Sequence, residues 1–373
     1  MNKYLKRYLT DQVEKDLPRK MVFVGGPRQV GKTTMAKQLL PDQRGYLSWD
    51  IAVQREKILK HELPSAKMWV FDEIHKYSAW RNYLKGVYDQ FKDKHQILVT
   101  GSAHLDYYRR GGDSLQGRYF YLRMNPFSVA ELRLNTQTAF KDLFQLGGFP
   151  EPYFSGSKIE SKRWSREYRQ RLIHEDIVAL EQAHDLGKLE LMMLRLPDLV
   201  GSPLSVNALR EDLHISYATA EKWLAILCRL YAIFRIPPFG SPLLRAVKKE
   251  QKHYHYDWTL VNEVGVQFEN MVAVHLLKWV EFQQDTLAKN IELRYFRDID
   301  RREVDFIVVE ERKPLLAIEC KLNDKVVSPS LIYFKKKFPE CDCYQISMLG
   351  KKDFISKDQI RVCPALQYLA TLI

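Results

Sequence analysis

The sequence predicts an α/β protein: a parallel sheet with helices on both faces, then a helical module, then a second α/β core. Three observations predict it. Short apolar runs at 21–24, 45–49, 68–71, 96–99 and 119–124 alternate with helical stretches, which is the pattern of a parallel sheet covered on both sides. Beyond Leu132 the periodicity turns helical. In the last third, 303–308 and 316–322 each alternate polar and apolar residues about the turn-like Glu310-Glu311-Arg312-Lys313-Pro314, which reads as a hairpin. At 373 residues the chain exceeds what one core usually holds, and the expected domains are 1–135, 136–240 and 241–373.

The first element is an amphipathic helix, with Leu5, Leu9 and Val13 at helical spacing. The strand that follows runs into Gly26-Pro27-Arg28-Gln29-Val30-Gly31-Lys32-Thr33, which meets G-x-x-x-x-G-K-[ST] at every fixed position. The two glycines let successive N–H groups turn toward phosphate oxygens, and the helix from about Lys32 presents its positive end to the same anion. Lys32 is expected to reach the β- and γ-phosphates and Thr33 to offer its hydroxyl to Mg²⁺, with Thr34 closing the nucleotide-binding set. The strand at 68–71 ends in Asp72-Glu73. Asp72 is expected in the Mg²⁺ shell and Glu73 as the general base for the attacking water. A third strand leads to Gly101-Ser102, where Ser102 is placed to sense the γ-phosphate or that water. The segment 111–118 is turn-rich and basic, and its Arg118 reads either as an arginine finger, for its own subunit or a neighbour's, or as a solvated structural arginine. ATP and Mg²⁺ are the implied cofactors, and hydrolysis rather than binding alone the implied activity.

Composition narrows the partners. The formal charge of +12, with 46% hydrophobic and 28% charged residues, favours a polyanion, nucleic acid and with it DNA before a membrane surface, the plainer reading being a generically basic protein. No stretch reaches the apolar length of a bilayer span, and the N-terminus lacks a signal-like apolar run, so a cytoplasmic protein is expected. Five cysteines, Cys228, Cys320, Cys341, Cys343 and Cys363, lack paired metal-ligand spacing and read as reduced thiols.

In the middle of the chain, Gly147-Gly148-Phe149-Pro150-Glu151-Pro152 marks a break before a basic helical run at 162–171. From 189 to 236 several short helices are closed by an apolar strand. A helix begins at 204–209, His214-Ile215-Ser216 makes a turn, and 217–230 forms a second helix, a helix-turn-helix order. Ser205 and Ser216 stand where N-caps belong, and Leu224, Leu227 and Leu230 form a core stripe. Tyr217, Thr219 and Lys222 would face a DNA groove, while a packing module is the other reading. In the C-terminal hairpin Glu319 and Lys321 project from one face and Asp305 comes alongside from the partner strand. With Glu269, on a helix starting near Gly265 with Phe268 and Met271 inward, they make a candidate Mg²⁺ and water-activating site of Glu269, Asp305, Glu319 and Lys321. The plainer reading is an amphipathic hairpin with a solvated outer face.

Together the loop at 26–33, Phe71-Asp72-Glu73-Ile74-His75, Thr100-Gly101-Ser102, Ser114-Leu115-Gln116-Gly117-Arg118 and Gly147-Gly148-Phe149-Pro150-Glu151 resemble prokaryotic AAA-type P-loop ATPases with a C-terminal domain of uncharacterised function. The C-terminal part is similar to PD-(D/E)xK nucleases through Phe268-Glu269, Glu303-Val304-Asp305-Phe306 and Glu319-Cys320-Lys321, with Cys320 in the variable position. The resemblance implies a P-loop NTPase sheet with an additional strand between the P-loop strand and the one ending in Asp72, then a winged helix and a restriction-endonuclease-like core. Two functions follow. One is a Mg²⁺-dependent ATPase coupling nucleotide state to a DNA-associated, DNA-cutting C-terminal module. The other is a nucleotide-gated switch whose nuclease-like domain is an inactive protein-interaction module. A translocase would need a homo-oligomer, since the chain holds one motor core and no internal repeat.

Overall fold

The structure, a computed structural model, describes residues 5–101, 115–177, 185–240 and 251–373. It falls into two compact units, Met1–Asn125 and Pro126–Ile373.

The first unit is built on five parallel strands: β1 (Met21–Gly25), β2 (Tyr46–Ser48), β3 (Met68–Asp72), β4 (Gln96–Thr100) and β5 (Tyr119–Arg123). Their order is β2-β3-β4-β1-β5, so β4 lies between β1 and β3, the additional strand that the resemblance implies. Every residue of β1 and β3 is buried, which explains why these runs are continuously apolar rather than alternating. The helices are α1 (Thr10–Asp16), α2 (Lys32–Leu39), α3 (Ala52–Leu59) and α4 (Trp80–Phe91), the last the longest of this unit among the described residues. On one face of the sheet Phe23, Phe71, Ile97 and Val99 join Trp80, Tyr83, Leu84 and Val87 in a single core. The latter four recur at i, i+3, i+4 and i+7 of α4, the apolar stripe of an amphipathic helix. Alternation sends Val22, Val24, Val70 and Leu98, all fully buried, to the other face. The unit is a P-loop NTPase sheet with flanking helices.

The second unit opens with α5 (Gln137–Leu146), capped by Thr136, whose hydroxyl accepts from Ala139 N–H, and ended by Gly147 at φ +86°. Next come α6 (Pro150–Ser155), with its proline in the first turn, and α7 (Lys158–Arg171), capped by Ser157. Then follow α8 (Leu186–Arg195), α9 (Val206–Asp212) and α10 (Tyr217–Arg229). Ser205 Oγ accepts from Ala208 N–H and Ser216 Oγ from Thr219 N–H, the two caps expected of the helix pair. Leu224, Leu227 and Leu230 are buried as the stripe required. After α10 come two antiparallel strands, β6 (Ile233–Ile236) and β7 (Lys252–His255).

The long α11 (Val264–Leu287) is capped by Glu263, whose carboxylate accepts from Gly265 and Val266 N–H. It precedes a mixed six-stranded sheet of β8 (Ile291–Arg297), β9 (Glu303–Glu310), β10 (Lys313–Lys321), β11 (Asp342–Ser347), β12 (Phe354–Ile355) and β13 (Ile360–Pro364), ordered β12-β13-β11-β10-β9-β8. β9 and β10 are the expected antiparallel hairpin, while β10, β11 and β13 run parallel. Leu331 and Phe334 of α12 (Pro329–Lys337) cover Phe296, Val304, Ile307 and Val309. A last short helix, α13 (Ala365–Leu369), follows β13. Among the described residues no helix is long and apolar enough to cross a membrane.

Candidate active site

Strand β1 ends at Gly25 and the chain turns at once. Gly26 has φ +133°, and a Cβ there would lie 2.3 Å from Met124 O, so only glycine fits beneath the neighbouring backbone. Gln29 at φ 58° and Gly31 at φ +100° reverse the chain twice more before Lys32 opens α2. Such alternation turns consecutive N–H groups inward as an anion nest. Pro27 and Val30 are buried under the loop, Arg28 is half-buried, and Gln29 and Thr34 are exposed. Lys32 is buried and folds back on the loop, with Nζ donating to Gly26 O at 2.9 Å and Pro27 O at 2.6 Å.

Asp72 is the meeting point of four elements. Its carboxylate accepts from Thr33 Oγ1 of α2 at 3.0 Å, Tyr46 OH of β2 at 2.6 Å and Thr100 Oγ1 of β4 at 2.5 Å. The register Ser48↔Asp72↔Thr100 brings three strand ends to one sheet edge, and Val24↔Thr100 adds the P-loop strand. A carboxylate and a hydroxyl side by side are hard oxygen donors, so Thr33 and Asp72 fit the Mg²⁺ that accompanies a triphosphate.

Glu73 adopts the left-handed conformation, φ 56°, with its N–H donating to Thr100 O at 2.9 Å. Its Oε2 lies 3.5 Å from His75 Nε2 and 3.6 Å from Lys76 Nζ, and Lys76 is shared with Asp50 at 2.7 Å. Burial holds the Glu73 carboxyl above the ordinary range, against the pull of Lys32 and Lys76. A carboxylate of raised basicity beside the loop is suited to taking a proton from water.

Two further contributors are expected here, Ser102 and Arg118. Ser102 lies outside the described residues. Arg118 precedes β5, whose Tyr119 pairs with Met21 and whose Arg123 pairs with Gly25. The P-loop follows Gly25, so Arg118 sits at the opposite end of the sheet, roughly 20 Å away by strand rise. There its guanidinium donates to Asp89 at 2.8 and 3.1 Å. A finger acting within its own subunit is therefore corrected: the strand length that separates the two ends of β1 also separates Arg118 from the phosphate loop.

The C-terminal constellation lies wholly in the second unit. Asp305 Oδ2 accepts from Cys320 N–H at 2.8 Å, and Lys321 Nζ donates to Glu319 Oε1 at 2.7 Å. Glu269 Oε1 accepts from Tyr254 OH at 2.6 Å. Glu269, Asp305 and Lys321 line an open cleft of about 350 Å³ with Asn323 and Lys325. Burial, and then the charge of Asp305, push both Glu269 and Glu319 up to about 7. No sequence signal pointed to the cation that stands beside them. Lys252 of β7, fully buried, donates from Nζ to Glu303 Oε1 at 2.6 Å and Glu269 Oε1 at 3.2 Å. Among the described residues no three His, Cys, Asp or Glu side chains are grouped to hold a metal ion. Nor does the sequence mark Tyr46 and Thr100 as partners of Asp72. A hydroxyl at a strand end is common, and only the sheet order brings these two to the acid.

Residues 18–133 match the family model described as an AAA domain. Residues 137–270 and 264–368 match two models described as domains of unknown function, DUF8612 and DUF4143. No curated protein matches the chain significantly. Similar solved structures include a single-residue variant of RuvB from Thermotoga maritima, 19% identical over 64% of this chain and 90% of that one, TM-score 0.28. A STAND protein with a tetratricopeptide repeat sensor from Pyrococcus horikoshii is 14% identical, covering 77% of this chain and 48% of that one, TM-score 0.25. A DNA polymerase III gamma subunit-related protein of Thermotoga maritima is 10% identical, covering 60% and 96%, TM-score 0.28. The phosphate loop, the acid-ended strand beyond an inserted one and the match over 18–133 agree: the N-terminal part of this chain has the P-loop NTPase fold and is similar to AAA domains.

Proposed function

We propose that the protein hydrolyses ATP with Mg²⁺ and that its nucleotide state governs a DNA-associated C-terminal part. The observation that carries the reading is the convergence of the P-loop hydroxyl of Thr33 on Asp72, with Glu73 next in sequence and Lys32 in the same loop. On binding, the loop N–H groups take the phosphates, and Lys32 exchanges the carbonyls of Gly26 and Pro27 for β- and γ-phosphate oxygens. Thr33 and Asp72 would hold the ion, which neutralises charge on the phosphates. Glu73 accepts a proton from water as its oxygen bonds the γ-phosphorus and the bond to the β-phosphate oxygen breaks, releasing ADP and phosphate.

Phosphate release measured on the full chain tests this. Lys32→Ala should abolish turnover, and Glu73→Gln should lower it by about 10²–10⁴-fold while ATP still binds. Turnover in Glu73→Gln equal to wild type removes Glu73 as the base.

DNA association is supported by the net charge of +12 and by the exposed Tyr217 and Lys222 in the first turns of α10, which follows a capped turn as in helix-turn-helix units. For the cleft, the ammonium of Lys252 among the carboxylates favours the second reading, a nuclease-like core that docks partners and cuts nothing. Metal-dependent cleavage of DNA by wild type, lost in Asp305→Ala or Lys321→Ala with ATP hydrolysis retained, would restore the nucleolytic reading.

A further inference from the structure

We propose that the Lys252 ammonium is the resident cation of the C-terminal cleft, so that the native cleft takes no divalent ion, and that removing this one charge turns the cleft into a divalent-cation site.

The argument starts from burial. An ammonium out of water is tolerated only where carboxylates and hydrogen bonds replace its hydration. Lys252 is fully buried, yet it donates to Glu303 at 2.6 Å and Glu269 at 3.2 Å and lies 5.6 Å from the centre of the Tyr295 ring. The carboxylates of Glu269 and Glu303 supply that replacement. The acids also have partners within the chain, while Glu319 Oε2 is buried with none among the described residues. Glu269 takes a second bond from Tyr254 OH, Asp305 takes the N–H of Cys320, and Glu319 takes Lys321.

A divalent ion needs several oxygens converging on one point that no fixed cation already occupies. Here the oxygens of Glu269 and Glu303 already converge, and what they converge on is Nζ. The strand pairing makes this a built feature. Lys252 is held by the β6–β7 ladder through Ile236 and bridges to Pro203, so the ammonium is delivered from a strand rather than from a loose loop. With the charge gone, Glu269, Glu303 and Asp305 would be left with an uncompensated negative charge around an oxygen-lined space.

Mn²⁺ binding to the full-length protein without nucleotide, followed by electron paramagnetic resonance, tests the proposal. Wild type and Asp305→Asn should bind alike, because no ion sits at the cleft in either. Lys252→Met, close in volume but uncharged, should gain one site per chain at least about tenfold tighter than any in wild type. Asp305→Asn added to Lys252→Met should remove it, and Mn²⁺ should raise the melting temperature of Lys252→Met more than that of wild type. A wild-type site that Asp305→Asn abolishes overturns the proposal, as does a folded Lys252→Met that gains no site. Should Lys252→Met fail to fold even with Mn²⁺ present, the wild-type and Asp305→Asn comparison decides alone.

Discussion

Asp72 is held by three hydroxyls, and the one from Tyr46 is the least expected. Tyr46 is buried, its OH donates to Asp72 Oδ2 at 2.6 Å, and the Lys37 ammonium lies 4.3 Å from its ring centre. The same oxygen accepts from Thr33, so Tyr46 holds the acid in the direction of the P-loop hydroxyl. Hydrogen bonds to a charged group are the stronger kind, worth about 1.5–3 kcal/mol. Tyr46→Phe should lower the stability measured by urea unfolding by an amount of that order and raise the Mg²⁺ concentration needed for half-maximal turnover, with kcat at saturating Mg²⁺ little changed. A Mg²⁺ titration identical to wild type would leave Tyr46 a core residue and no more.

At the scale of elements, α11 organises much of the second unit. Its Lys278 donates to Pro126 O at 3.0 Å and pairs with Glu131 at 2.5 Å, with both side chains buried. One turn earlier His275 Nε2 accepts from Val129 N–H at 3.1 Å, which puts the ring proton on Nδ1, 2.8 Å from Met271 O. That tautomer is neutral, and burial lowers the histidine from its ordinary 6.5 to about 4. Between those values the unfolded chain binds a proton that the folded one refuses. The stability contributed by the neutral ring is therefore complete above pH 6.5 and lost as pH falls toward 4, with a slope of up to about 1.4 kcal/mol per pH unit. The buried acids Glu269 and Glu319 titrate in the opposite sense, so the measurement is a difference. Urea midpoints of wild type should fall from pH 6.5 to 4 more steeply than those of His275→Gln, and parallel profiles would refute the assignment. The start of α11 near Gly265 and its inward Phe268 and Met271 were legible in the sequence, because capping and helical period are local. The grip of His275 and Lys278 on 126–131 was not, since it joins positions far apart in the chain, 146 for His275 and Val129 and 152 for Lys278 and Pro126.

For the molecule as a whole, charge and assembly are the quantities to measure. If the excess of +12 serves DNA, binding to plain duplex should weaken linearly in log[salt], with a slope of about −0.9 for each phosphate neutralised. A flat salt response, or negligible affinity at low salt, would turn the charge into a solubility feature and favour the protein-docking reading. Arg118 sits at the sheet edge remote from its own P-loop and half-exposed beside Asp89, so any service to phosphate must be to a neighbouring copy. Mixing Lys32→Ala with Arg118→Ala chains, each inactive alone, should then restore part of the ATPase activity, and no recovery would leave the Asp89 pair structural. The sequence by itself determined the phosphate loop, the acid-ended strand, the caps at Ser205 and Ser216 and the β9–β10 hairpin. Each of these is written in residues a few positions apart, where backbone geometry and side-chain period act directly. Tertiary structure alone decided that Tyr46 and Thr100 meet Asp72, that Arg118 faces away from the loop, and that Lys252 lies among the carboxylates. Those outcomes depend on strand order and on which buried charges must find partners, and neither is carried by local sequence.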